Sequence, residues 1–165
     1  MSKEDYLASL PKFEAQPEAF KGRFDIPVVV ETRIPVVRQC ELAGIGYHLS
    51  DLEVADWPQD PQGYKTPNVP YVTWMQDGSG NRGESVDKVR GEFAGDERGA
   101  TIFDGVSFCI AHPQILENHY IDLPGTSVGS GRAPYLRLGA RGPGLDHGRV
   151  DAAGRGGGSA TCGRT

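Results

Sequence analysis

The residues best able to do chemistry stand close together in the second half of the chain. His112, His119 and Asp122 are followed by a run of glycines and hydroxyls, LPGTSVGSGR, over residues 123–132. Such a run can turn backbone N–H groups toward a phosphate or another small anion, and Arg132 would add the cation. The candidate ligand-binding residues are therefore Thr126, Ser127, Ser130 and Arg132, with His119 and Asp122 just upstream. The spacing matches no nucleotide motif. A phosphate loop needs GxxxxGK[ST] opening a helix, and a dinucleotide fingerprint needs GxGxxG after a strand. Nor does H-x6-H-x2-D match a strong metal template such as HExxH, so no metal is assigned. His112 precedes Pro113, a place where an imidazole meets the last carbonyls of a helix and favours its dipole.

The other groupings give no catalytic residue and no cofactor. Asp77, Ser79 and Asn81 imitate the start of a calcium loop, but Arg82 and Lys88 stand where that loop needs Gly and a bidentate Glu. A turn is expected there instead. Cys109 falls on an apolar helical stripe, which suits an inert buried thiol better than a nucleophile. Cys40, Cys109 and Cys162 are an odd number without a CxxC pair, so reduced thiols are expected. Neither Ser127 nor Ser130 sits in a GxSxG elbow.

The elements that must position these residues follow from apolar spacing. Val28, Val29 and Val30 are consecutive, the pattern of a strand covered on both faces, and strands are expected near 26–31, 71–75, 119–123 and 133–138. Helices are expected near 35–43, 84–93 and 99–111. In the last, Ile102, Phe103, Val106, Cys109 and Ile110 form one stripe. The core drawn from these elements includes Val72, Trp74, Phe93, Ile110 and Leu138 beside Val28, Val30, Cys40, Ile102, Val106, Cys109 and Leu136. Residues 46–70, rich in proline, should wrap the core with Trp57 and Tyr64 as anchors.

With 165 residues the length suits one domain, and 23 glycines call for much loop. The fold class is α+β: a small mixed sheet covered by three or four short helices. Residues 1–138 form the globular part. Residues 139–165, Gly- and Arg-rich and without a single aromatic, read as a disordered tail or as a degraded continuation of the domain. Over residues 1–123 there are 11 Lys and Arg against 20 Asp and Glu; thereafter six Arg face two Asp. An acidic body excludes a nucleic-acid platform spanning the domain, which needs a basic face. The first twenty residues lack the apolar core of a signal peptide, and no run approaches a membrane span, so a soluble, cytoplasmic protein with no membrane partner is expected.

Three runs, PYVTWMQDG (70–78), DERGATIFDGVSFCIAHPQILENHYIDLPGTSVGSGRAPYLRL (96–138) and SATCGR (159–164), resemble an uncharacterised bacterial domain-of-unknown-function family over about residues 70–164. The likeness rests on order and apolar pattern and implies no catalytic residue. The chain departs from it at 139–158, where small residues and arginines replace a Trp-containing apolar segment. The reading that results is a non-catalytic binding or interaction module for a protein partner or a small anionic ligand. The alternative is an anion- or phosphate-type ligand binder, or an enzyme, working through the 125–132 loop. A second alternative is an RNA-associated role for the Arg/Gly tail.

Overall fold

The computed structural model describes residues 1–153 and 156–164. Helix α1 (Lys3–Ala8) leads to strand β1 (Ile26–Val30), helix α2 (Val36–Ala43) and the short strands β2 (Gly46–Tyr47) and β3 (Val54–Asp56). Then come β4 (Tyr71–Gln76), α3 (Val86–Gly91), β5 (Glu97–Gly99) and α4 (Ile102–Ala111). The second half is built of strands: β6 (Tyr120–Asp122), β7 (Thr126–Val128), β8 (Arg132–Gly139), β9 (Gly142–Arg149), β10 (Gly157–Ser159) and β11 (Thr161–Gly163). Mixed α and β structure is therefore what the chain forms. Among the described residues no helix is long and apolar enough to cross a membrane.

Three sheets are present rather than one. The first has the order β1-β4-β11-β5, with every pair antiparallel. The second has the order β10-β6-β8-β9-β2, parallel at both edges and antiparallel within. Strands β3 and β7 form a separate antiparallel pair. Helix α4 lies on β1 and α2 leans on α4, closing a core that contains Val30, Val106, Phe108, Ile121, Leu123, Leu136 and Leu145.

The stretch expected to be a tail is the largest correction. It contributes three strands, and one of them, β11, lies inside the first sheet between β4 and β5. Ala160 alone separates β10 from β11, so a single extended segment passes from the second sheet into the first. The Ala160 amide donates to the Asp122 carbonyl at 3.0 Å, and its carbonyl accepts from Ala100 at 3.0 Å. Glycine here serves close packing, not flexibility. A Cβ on Gly158 would lie 2.0 Å from the Gly78 carbonyl oxygen, and one on Gly163 would lie 2.5 Å from the Phe20 ring. Neither backbone could approach so closely with a side chain present. Gly154, Arg155 and Thr165, part of that expected tail, lie outside the described residues.

Two further expectations about faces change. Strand β4 turns Thr73 and Met75 inward, leaving Val72 and Trp74 half-buried, because Thr73 is drawn to a buried arginine described below. A shift of one residue exchanges the two faces of a strand. Helix α4 is buried from Ile102 through Cys109 apart from the half-buried Phe103, while Ile110 is exposed. Its start is set by Thr101 and Asp104, a reciprocal capping box. Leu138, near the end of the β8–β9 hairpin, is also exposed, and Phe93 is half-buried edge-on against Trp57 at 6.1 Å.

Candidate functional site

The six residues singled out from the sequence fall in separate places. The Thr126 hydroxyl accepts from the Ile102 amide at 2.8 Å, and its carbonyl accepts from Arg90, so it helps anchor the start of α4. Ser127 pairs with Ala55 in the β3–β7 ladder. Ser130 lies on an outer turn and Arg132 at the exposed start of β8, where it reaches His147 Nδ1 at 3.2 Å. In the loop between Leu123 and Arg132, the amides of Gly125, Thr126 and Gly129 already donate to the carbonyls of Ala100, Leu123 and Glu53. His119 and Asp122 belong to the other end of the same region. The His119 ring is buried with Nδ1 at 2.8 Å from the Tyr120 carbonyl and Nε2 at 3.9 Å from Asp77. Asp122 lines a small hollow on the second sheet.

A buried ionic centre, unseen in the sequence, ties the first sheet to α4. Arg98 meets Asp104 at 2.6 and 3.3 Å, and both side chains are cut off from water. Asp104 also accepts from the Tyr71 hydroxyl at 2.7 Å, and from the Thr101 amide at 2.7 Å and hydroxyl at 3.0 Å. Arg98 donates further to the Gly99 carbonyl and to Thr73, and its guanidinium sits 4.1 Å from the Tyr64 ring centre. Burial opposes ionisation of Asp104, but the Arg98 charge and these hydrogen bonds hold its carboxyl below the usual range. Burial pushes Tyr71 well up, and the Cys162 thiol up to about 12 despite the nearby arginine. Every strong donor and acceptor here has a partner, which marks a structural element. The sequence carried one usable sign of it, the T-x-x-D pattern of Thr101 and Asp104.

A large concave surface lies beside β1. Tyr6 donates to Glu31 at 2.8 Å, and Arg33 grips the same carboxylate through Nε at 3.0 Å, Nη2 at 2.8 Å and its own amide at 2.7 Å. The Arg33 hydrogen bonds hold Glu31 down to about 2, against the opposing effect of its partial burial. These bonds pin the N-terminal arm over β1. Between the arm, α2 and α4 runs a groove of about 470 Å³ whose walls include Leu10, Phe13, Val29, Leu42, Ile110 and Ala111. Glu31, Gln39 and Ser107 are its polar members. Its rim is not covered: Phe13 is 57% exposed, Leu42 67% and Ile110 48%. The volume lies within the usual range for ligand sites, and such sites are mostly apolar with a few placed polar groups. Sequence reasoning missed this groove because its arm carries no long periodic pattern. Leu42, off the buried Val36–Cys40 face of α2, was the visible signal.

No family model matches this chain, and no curated protein or solved structure matches it.

Proposed function

We propose that this protein is a non-catalytic binding module whose apolar groove receives an apolar segment of a partner protein. The observation that carries the reading is the rim. Phe13, Leu42 and Ile110 hold large apolar surfaces in water beside a concave apolar floor. A contiguous exposed apolar surface of this kind is costly unless a partner covers it. A small molecule lodged on the floor would leave the rim in water, whereas an amphipathic segment laid along the groove covers both. The Tyr6–Glu31–Arg33 contacts keep the arm in place, so the floor exists before the partner arrives and little ordering entropy is lost on binding.

The test uses the full chain with a benzophenone amino acid in place of Leu42, expressed in its source cells. The same replacement at Val69, exposed and outside the groove, is the control. The segment cross-linked from position 42 is identified by mass, synthesised and titrated against purified protein. Saturable binding is expected, weakened about tenfold or more by Leu42→Glu or Phe13→Glu without a change in melting temperature. A segment bound equally well by both variants overturns the reading. So does saturation of the groove by dodecanoate with no cross-linked peptide, which would make the site one for a small amphiphile.

A further inference from the structure

The second sheet carries a separate hollow of about 190 Å³, and we propose that it receives an alkylammonium group, either a free primary amine or the end of a lysine side chain. The space exists because the strands around it bear small residues. Ala133 and Gly148 face each other across β8 and β9, and Gly157 stands opposite Tyr120 in the β6–β10 pair. A Cβ on Gly157 would come within 3.1 Å of the Tyr120 Cβ and 3.6 Å of an Asp122 carboxylate oxygen. The rings of Tyr120 and Tyr135 stack on one side, 5.8 Å apart and 12° from parallel.

Asp122 sits at the base of this hollow, opposite Tyr135 on one neighbouring strand and Ser159 on the other. Among the described residues nothing donates a hydrogen bond to its carboxylate. Two wholly buried polar atoms nearby share that condition: Ser159 Oγ, at the paired position of β10, and His119 Nε2. Two arginines near the hollow already have partners. Arg149 at the rim forks onto Asp151 at 3.0 and 2.6 Å, and Arg137 faces Asp146 at 3.4 Å. Asp77, on the far side of His119, is occupied by Ser79. Among the described residues the Asp122 carboxylate has neither an ion-pair nor a hydrogen-bond partner, which leaves it able to recruit a counter-charge.

The sign and the walls select the ligand. A carboxylate in a partly dry site repels phosphate and carboxylates, and it strengthens any N⁺–H···O⁻ bond formed there. Aromatic rings and small aliphatic side chains suit a short alkyl chain and add a cation–π contribution. Burial pushes the Asp122 carboxyl up to about 6, with His119 opposing, the state of a group whose ionised form lacks a partner. This site is distinct from the groove, and neither reading depends on the other.

The experiment follows the carboxyl carbon of Asp122 and the rings of Tyr120 and Tyr135 by NMR in the full chain at neutral pH. The probe is n-butylammonium chloride at constant ionic strength, with n-butanol and sodium chloride as controls. Saturable shifts confined to these residues are expected from the amine alone. Asp122→Asn should weaken them about tenfold or more, as loss of a charge-assisted bond requires. Gly148→Val, which fills the hollow while keeping the carboxylate, should do the same. N-acetyl-lysine methylamide is the second arm. Saturation by both compounds assigns the site to lysine side chains, and saturation by butylammonium alone assigns it to free amines. Equal shifts from butanol or salt, or full binding by both variants, overturn the proposal. Amine binding that emerges only in Arg155→Ala also overturns it, since the cation would then come from the chain itself.

Discussion

Asp104 is fully buried at the start of α4 and Asp122 half-buried in β6, and their surroundings are opposites. Asp104 is reached by a guanidinium, a phenol, a hydroxyl and an amide, and it stays ionised in a fully buried position. Asp122 meets aromatic rings and small side chains, and burial raises its carboxyl to about 6. A buried carboxylate with all its partners holds elements together. One without them is a charge awaiting a ligand, and its titration lies close to neutral pH.

The most severe way to break this contrast is to strip Asp104 from Arg98. Asp104→Ala leaves a buried, unpaired guanidinium and should cost about 3–5 kcal/mol, read as a fall in urea midpoint. A loss below about 1 kcal/mol would mean that the centre does not differ from a surface pair. The opposite sign is expected at Asp122. Its carboxyl, about 6 in the folded chain, is ordinarily about 3.9 unfolded, so the folded state binds more protons between those values and loses stability as pH rises through them. Asp122→Asn should therefore stabilise the protein by about 1 kcal/mol at pH 7 and have no effect near pH 4, a discount from the full shift because the group keeps some access to water. Equal effects at both pH values would assign the change to packing.

Glu31 sharpens the comparison from the other direction. Its carboxyl, held down to about 2, contributes stability above its unfolded value, which is lost as pH falls from about 4.3 toward 2. Tyr6→Phe should cost about 0.5–1 kcal/mol at neutral pH and loosen the arm over the groove, visible as faster hydrogen exchange in residues 3–9. The smallest effect is expected at Arg132, an exposed cation at the start of β8. Arg132→Ala should stay within about 0.5 kcal/mol of the parent in a melting scan.

Much of the scaffold was legible because local pattern and burial agree there. The valines of β1, the aromatic and β-branched run of β4, and the Ile102–Cys109 segment form the elements that their spacing expects. The Gly/Arg-rich segment was not legible. Its strands carry glycines whose value is the absence of a side chain against Gly78 and Phe20, and no apolar period records that. The Arg98–Asp104 centre was hidden for a related reason: two ordinary surface residue types become buried only after β4, β5 and β11 assemble around them. At the candidate sites, residue type pointed to Asp122, but the rings and the hollow beside it come from strand pairing across β6, β8, β9 and β10. Thr126 attracted notice for a hydroxyl that the fold spends on the start of α4.

The crossing at Ala160 has a consequence for how the molecule comes into being. A ribosome delivers β4 and β5 long before the strand that belongs between them. Until residues 157–163 emerge, the nascent chain has an unfilled slot with two bare backbone edges, the kind of surface that pairs readily with neighbouring chains. Native assembly therefore waits for a late insertion, and its long-range pairing makes a slow folding step. By the same geometry, a fragment lacking this segment becomes a receptor for it, so a short peptide spanning 157–163 would complete in trans the sheets that the intact chain completes in cis.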